Sequence, residues 1–492
     1  MKLFNIGHEF NYELENLCRI FYPFEKIKVS NELKKSSEDT IIIAKREISK
    51  ETNLNVQVTQ NDKVISRSQI IQNNINDYKN ECERTLAMLL YLCFCEIRSF
   101  KPKWGILTGV RPIKLLRHLI LEENSSNVLK SKEYFENKLA VSQQKTDLAL
   151  RTFFNEEKII KKSDKSSFSL YVSIPFCLSR CNYCSFVSQS VSKALHLIPQ
   201  YLTLLMEEIK QIAVIADKLN LTLSTIYIGG GTPTSISAEQ LKDLLNCISL
   251  YFDVNKVLEY TVEAGRPDTI DKKKLEIIKK CGVTRISINP QTMHDATLKT
   301  IGRNHTVSQL IESYKLAKDI GLKNINMDLI AGLPGENVNM FKESLDKILD
   351  LDPENITMHT LSLKRSSYIG QTGGGKDEYD IVDEMLEYAY KKLDKNKFEP
   401  YYLYRQNRIL GGLENTGWSK KGFEGLYNVF IMDETHSILA AGAGAVTKLK
   451  QPDGSKIERI FNFKFPYEYI SGFDEMTERK KKVYNFYDRY NI

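Results

Sequence analysis

No uninterrupted apolar run in this chain is long enough to span a bilayer, which sets aside a membrane-spanning protein. The opening stretch, MKLFNIGHEFNYELENLCRI, interleaves acidic and polar residues with its apolar ones, so it lacks a signal-peptide hydrophobic region and the expected location is cytoplasmic. A strong charge of one sign is missing too. The 69 basic and 62 acidic side chains leave a formal +7 scattered along the sequence, a mild bias toward anionic partners and no nucleic-acid footprint. Cysteine is sparse, nine in 492 residues, and with no export signal a reducing compartment is expected. Clustered cysteines there carry metal or redox chemistry and not disulfides.

What is present is a globular composition, 42% hydrophobic, in a chain long enough for two or three domains with their own cores. Residues 1–165 open with alternating stretches, DTIIIAKREI and LNVQVTQ, that predict strands, and pass near Asn76 into helical spacing, together an N-terminal α+β domain. Cys82, Cys93 and Cys95 fall on the apolar side of that helical pattern and read as core thiols, as do the isolated Cys18, Cys247 and Cys281. The run WGILTGVRPIKLLRHL predicts a loop entering a helix, and the polar linker KKSDKSS leads into a second region, 166–396.

There the chain alternates short β-branched runs with amphipathic helical patterns six times: FSLYVSI, STIYIG, VLEYTVEA, VTRISIN, KNINMDLI and ENITMHTL are the strand candidates. Six successive βα units predict an α/β fold with a parallel sheet, either doubly wound or a partial (βα)6 barrel, two forms that periodicity does not separate. In both, ligand-binding residues belong just beyond the C-terminal ends of the strands. Residues 397–492, with YYLYRQ, a strand-like YNVFIMD and SILAAGAGA, predict a smaller α+β cap.

After the first of these strands, SIPFCLSRCNYCSF places Cys177, Cys181 and Cys184 in a C-x3-C-x2-C loop. Three thiolates can hold three irons of a cubane cluster and leave the fourth open to an exogenous ligand. A structural zinc would need a fourth Cys or His nearby, and none lies between Ser185 and Leu195; His196 starts the next helical pattern.

The segment resembles the radical SAM signature, and its flanks YVSIPFC and CSF resemble the oxygen-independent coproporphyrinogen III oxidase group of HemN, HemW and HemZ proteins, a likeness running from about Phe168 onward. It implies a [4Fe–4S] cluster on Cys177, Cys181 and Cys184 and S-adenosylmethionine (SAM) as cosubstrate. In IYIGGGTPT, Gly230, Gly231 and Thr232 match residues that approach the SAM methionine; Glu263 in VEAGRP and Gln291 in SINPQTMHD match SAM-contacting positions. Arg303 in IGRNHT matches an arginine suited to a carboxylate, and Asp328 in NMDLIAGLPGE an acid that accepts from ribose hydroxyls. Tyr171, Tyr183 and, less closely, Ser362 match further contact positions, whereas His294, His305 and His359 read as satisfied, partly buried imidazoles.

The resemblance implies oxidative decarboxylation of coproporphyrinogen III to protoporphyrinogen IX in porphyrin and heme biosynthesis. It also implies an electron donor such as flavodoxin or ferredoxin, a tetrapyrrole substrate and a monomeric chain. HemN has a further cysteine where this sequence has Phe186; HemW and HemZ lack it, and HemW proteins are heme chaperones. The N-terminal region, WGILTGVRP and YYLYRQNRILGGLENTGW followed by GAGA resemble the HemZ branch, described as coproporphyrinogen dehydrogenases. Lys364, Arg365, Tyr404 and Arg405 are the candidates for the carboxylates of such a substrate. The alternatives are a heme chaperone and a different radical enzyme acting on a tetrapyrrole.

Overall fold

Strands that are buried on both faces read in sequence as continuous apolar runs, and the six candidate runs fold as such strands. The computed structural model describes all residues except 24, 34–38, 124–126, 187, 363–378, 453 and 491–492. It divides into two units, the first of Met1–Leu150, Lys376–Tyr379 and Tyr404–Glu414, the second of Arg151–Gly375, Asp380–Leu403 and Asn415–Ile492.

In the first unit β1 (Lys2–Ile6), β2 (Lys28–Ser30), β3 (Thr40–Ile48), β4 (Glu51–Gln60) and β5 (Lys63–Gln72) form one sheet in the order β2-β1-β3-β4-β5. β1 runs parallel to both neighbours, and β3, β4 and β5 are an antiparallel meander. Leu54, Val56 and Val58 alternate inward from β4, against the helix Tyr78–Arg98. Cys82, Cys93 and Cys95 lie on the buried side of that helix, and burial pushes their thiols up, Cys93 to about 11. They are core thiols, as is the fully buried Cys18.

The second unit is built on an eleven-stranded sheet. Its strands are β6 (Ser167–Ile174), β9 (Thr222–Gly230), β10 (Glu259–Gly265), β11 (Arg285–Ile288), β12 (Ile325–Ala331), β13 (Asn355–Thr360), β14 (Glu399–Tyr404), β15 (Asn415–Ser419), β16 (Ser437–Ala441), β17 (Val446–Lys450) and β18 (Ile457–Phe461). The order is β14-β15-β13-β12-β11-β10-β9-β6-β16-β17-β18. The six expected strands, β6 and β9 to β13, are contiguous and mutually parallel. A linear order with β14 and β18 at its ends is an open sheet and not a closed barrel. Two very short strands outside it, β7 (Phe176–Cys177) and β8 (Gln189–Ser190), pair with each other.

The intervening helices start where their side chains can cap them. Ser237 with Gln240 and Thr306 with Gln309 form capping boxes for Ala238–Tyr251 and Val307–Ile320, and Asp271 and Asn337 cap Lys272–Lys280 and Val338–Asp350. Among the described residues no helix is long and apolar enough to cross a membrane.

Two features of 397–492 differ from the sequence reading. YNVFIMD is not a strand: Leu426–Asp433 is a helix. A short apolar run is ambiguous between the two, and here the carboxylate of Glu259, on β10, accepts from the first-turn amides of Leu426 (2.7 Å) and Tyr427 (3.4 Å), a helix cap supplied from far away in sequence. SILAAGAGA does form a strand, β16, but it joins the main sheet parallel to β6.

Candidate active site

β6 ends at Ile174, and after Pro175 the chain enters β7, so Cys177 leaves the sheet at the C-terminal end of its first parallel strand. The pairing of β7 with β8 closes the cysteine segment into a loop. The end of β9 carries the base of this loop: the amides of Gly231 and Thr232 donate to the carbonyls of Ile174 and Phe176, both at 2.8 Å. A Cβ on Gly231 would sit 2.6 Å from the Phe176 oxygen and 2.9 Å from that of Ile174, so only glycine permits this approach. The glycines of IYIGGG therefore have a packing duty of their own, seating the cysteine loop on the sheet.

Cys177, Cys181 and Cys184 are half-buried in that loop. Burial pushes the Cys177 thiol up and the Cys184 thiol up to about 11. The Thr232 hydroxyl donates to Cys177 Sγ at 3.4 Å, and Arg266 Nη1 lies 4.0 Å from Cys181 Sγ. Among the described residues no three His, Cys, Asp or Glu side chains form a ready ligand set; the three thiols are neighbours on one loop, close enough to act electrostatically on one another.

Beside the loop the sheet presents a half-buried polar cluster under an aromatic stack. Tyr171 on β6, Tyr227 on β9 and Tyr427 on the helix Leu426–Asp433 stack with ring centroids 4.4 to 6.3 Å apart. The Tyr227 hydroxyl donates to Glu263 on β10. Burial pushes the Glu263 carboxyl up to about 7 against that hydrogen bond, and nearby Asp328 adds to the rise. Asp328, on β12, is displaced the other way: burial would raise it, but His359 Nε2 at 3.6 Å and hydrogen bonds from Asn326 (2.7 Å) and Thr357 hold it below the usual carboxylate range. Two neighbouring carboxyls are thus driven apart by their surroundings, the pattern of a working site. Asp328 is the fourth of seven residues in β12 and Tyr171 lies mid-way along β6, so these two project from within the sheet and not from beyond the strand ends.

Gln291 follows β11 with φ +66, a left-handed conformation that is costly without glycine. Two backbone bonds to β12 hold it there, Gln291 N to Asp328 O at 2.9 Å and Ile330 N to Gln291 O at 3.0 Å. Its side chain is 5% exposed and Oε1 has no partner, and the neighbouring Asn289 Oδ1 is also buried without one. Arg303 reaches the same place, donating from Nη1 to the carbonyls of Asn289 (2.8 Å) and Gly265 (3.3 Å) and from Nε to the Tyr183 hydroxyl (3.3 Å). His305 departs from the expectation of a satisfied imidazole: it is 4% exposed, both ring nitrogens lack a partner, and burial drives it down to about 4. His294 and His359 do have partners, the Met340 carbonyl and Asp328.

Of the expected substrate residues, Tyr404 and Arg405 belong to the first unit. Lys364 and Arg365 lie outside the described residues. Arg405 is 5% exposed in the first unit, where Nε and Nη2 donate to the Gly412 carbonyl and Nη1 to that of Leu107. It stands 5.7 Å from the Trp104 ring, beside the buried Lys145–Glu414 ion pair to which Trp104 Nε1 also donates (2.6 Å). Every guanidinium nitrogen of Arg405 already serves a backbone carbonyl, so in this structure the side chain ties WGIL to the YRQNRILGG segment. The neighbouring Tyr404 accepts from Gln406. Ser362 is half-buried after β13, and Phe186 is 66% exposed. Sequence reasoning missed Tyr227, Tyr427, Asn289 and Arg266. Only Arg266 had a local signal, as the one cation in VEAGRP.

Residues 171–348 match the family model of the radical SAM superfamily. The Bacillus subtilis oxygen-independent coproporphyrinogen-III oxidase-like protein HemZ is 40% identical over 392 residues, which cover 77% of this chain and 76% of HemZ. The heme chaperone HemW of the same organism is 34% identical over 266 residues, 52% of this chain and 68% of HemW. The solved structure of Escherichia coli HemN, a coproporphyrinogen III oxidase and radical SAM enzyme, superposes with a TM-score of 0.52 at 20% identity, over 66% of this chain and 73% of HemN, a shared fold. This chain belongs to the radical SAM superfamily, in the group that holds the HemN, HemW and HemZ proteins. Its parallel sheet is the partial (βα)6 barrel of that superfamily, whose cofactors are a [4Fe–4S] cluster and SAM. The residues present fit both: three cysteines on one loop with protein donors near two of the sulfurs, and buried acceptors on Gln291 and Asn289 that no protein donor satisfies.

Proposed function

We propose that this chain is an oxygen-independent coproporphyrinogen III oxidase (dehydrogenase), converting coproporphyrinogen III to protoporphyrinogen IX in porphyrin biosynthesis. When bound, the reduced cluster and SAM supply a 5′-deoxyadenosyl radical, which takes a hydrogen atom from a propionate side chain. In this reading Cys177, Cys181 and Cys184 hold the cluster as thiolates. Gly230, Gly231, Thr232, Tyr171 and Tyr183 line the SAM site. Glu263, Gln291 and Asp328 accept from its donors, and Arg303 pairs with its carboxylate. The buried strand walls and the tyrosine stack exclude water. Each propionate loses a hydrogen atom, CO2 and one electron to become a vinyl group, so a one-electron acceptor is required, and a small electron carrier of the flavodoxin or ferredoxin kind is the proposed donor.

The observation that carries this reading is the cluster of four polar side chains beside the cysteine loop, Gln291 and Arg303 buried and Glu263 and Asp328 half-buried, with Gln291 Oε1 left unpartnered. A buried acceptor without a donor costs about 1–3 kcal/mol in a resting fold, a cost that a ligand's donors remove. The second reading, a heme chaperone, is favoured by the HemW relative at 34% identity and by Phe186 in place of HemN's further cysteine.

The test is anaerobic turnover of the full chain with dithionite, SAM and coproporphyrinogen III, followed by chromatography. Protoporphyrin formation that disappears in Cys181→Ala supports the oxidase. Tight stoichiometric heme binding without protoporphyrin overturns it in favour of the chaperone, and SAM cleavage without either points to another tetrapyrrole substrate.

A further inference from the structure

Arg266 stands where β10 breaks its register. The ladder with β11 shifts between Glu263 and Gly265, and Gly265 has φ +45, so the chain swings out of the sheet just before the arginine. The turn that follows is fastened on all sides. Thr269 N and Oγ1 donate to the Arg266 carbonyl at 3.0 and 2.7 Å, Thr234 Oγ1 donates to the Ala264 carbonyl at 3.0 Å, and Lys274 Nζ donates to the carbonyls of Thr234 and Thr269 at 2.7 and 3.0 Å. The side chain is aimed inward, 4% exposed, and its fork is divided between two tasks. Nε and Nη2 take both oxygens of Asp268 at 3.1 and 2.8 Å. Nη1 points to the cysteine loop, donating to the Ser179 carbonyl at 2.8 Å and its hydroxyl at 3.0 Å, 4.0 Å from Cys181 Sγ.

The same turn of the cysteine loop is held from its other side. Ser179 Oγ donates to the Gly302 carbonyl at 3.0 Å, Asn182 N to that of Ile301 at 2.9 Å, and Asn182 Nδ2 to that of Thr300 at 2.8 Å. Ser179–Asn182 is therefore clamped between the 300–302 turn and one buried cation. A bidentate carboxylate leaves a guanidinium no freedom to turn away. Asp268 is 13% exposed, so the pair is shielded from screening by water and salt. Hydrogen bonds to ligand sulfurs and buried positive charge draw density from an iron–sulfur centre, and both are known levers on its potential.

We propose that Arg266, locked by Asp268, is a positioning residue for the iron–sulfur centre. It fixes the Ser179–Cys181 turn and, through its charge beside the Cys181 sulfur, makes the bound cluster easier to reduce. The inference rests on the assignment of Cys177, Cys181 and Cys184 as cluster ligands. Thr232 gives Cys177 a neutral donor from β9 and the Phe186 backbone gives Cys184 another, whereas Cys181 faces buried cations, Arg266 with Nη1 at 4.0 Å and Arg303 beside it.

The test uses the full chain, reconstituted anaerobically as wild type, Arg266→Met, Arg266→Lys and Cys181→Ala. Iron and sulfide per chain are measured first. Redox titration followed by electron paramagnetic resonance then gives the ratio of reduced to oxidised cluster at the potential where wild type is half reduced. The expected result is a ratio about tenfold lower in Arg266→Met, ~59 mV for one electron, with Arg266→Lys recovering part of it because the charge is kept and the fork is lost. A wild-type ratio in Arg266→Met overturns the inference. If Arg266→Met holds no cluster, Arg266→Lys decides: a lowered ratio supports the proposal and a wild-type ratio overturns it. A normal centre in Cys181→Ala would instead overturn the ligand assignment beneath it.

Discussion

Tyr227 donates its hydroxyl to the carboxyl of Glu263, and the two sit on neighbouring parallel strands, β9 and β10, in the second unit's sheet. A tyrosine that serves a half-buried glutamate here also closes the stack with Tyr171 and Tyr427, so one side chain shapes both the polar and the apolar wall of the proposed SAM site.

SAM binding should depend on pH through Glu263. Its carboxyl is pushed up to about 7, chiefly by burial, so without ligand the folded chain holds a proton between the ordinary ~4.3 and 7 and loses that part of its stability as pH rises through 7. SAM donors favour the carboxylate. Affinity should therefore weaken as pH falls below about 7, by up to tenfold per pH unit, and binding near pH 6.5 should release a proton. Calorimetry in two buffers of different ionisation enthalpy reads this directly. Glu263→Gln should bind more weakly at pH 8 and show a flat profile.

Acid stability should be limited by two neutral imidazoles. Burial drives His305 down to about 4 and His436 down to about 3. Below the ordinary ~6.5 the unfolded chain takes protons that the folded chain refuses, so stability present above 6.5 is lost as pH falls toward 4. His305 has no hydrogen bonds to lose. His305→Leu should flatten the acid limb by on the order of 3 kcal/mol at pH 4 and cost little at pH 7.5. Urea unfolding across pH 4–8 checks both halves.

Gly231→Ala should loosen the cysteine loop. The new Cβ would meet backbone oxygens of Phe176 and Ile174 at 2.6 and 2.9 Å, neither on a flexible side chain. Such overpacking costs about 1–3 kcal/mol. Iron incorporation on reconstitution should fall at least twofold while the far-ultraviolet circular dichroism stays unchanged. Full incorporation would contradict the seating role given to this glycine.

The six parallel strands were legible because five of them are buried along most of their length, β11 without a break, so they read as largely apolar, β-branched runs in spite of single polar residues such as Glu263 and Asp328. The cysteine loop was legible because its spacing is local. What sequence hid depends on distant partners. Tyr227 and Glu263 are 36 residues apart, and the pairs that fasten Arg266 to Ser179 and Arg303 to Tyr183 are 87 and 120 apart. YNVFIMD became a helix because Glu259, on another strand, caps it. Arg405 looked available for a carboxylate because nothing in its own neighbourhood announces the Leu107 carbonyl, 298 residues away.

The central claim is that the Cys177–Cys184 loop holds a cluster that cleaves SAM. Its most direct measurement is anaerobic reconstitution of the full chain, with iron and sulfide counted and 5′-deoxyadenosine followed after dithionite and SAM are added. The account predicts about four iron and four sulfide per chain and deoxyadenosine release, both lost in Cys181→Ala. A wild-type chain that binds a single zinc, or a full cluster in Cys181→Ala, would contradict it.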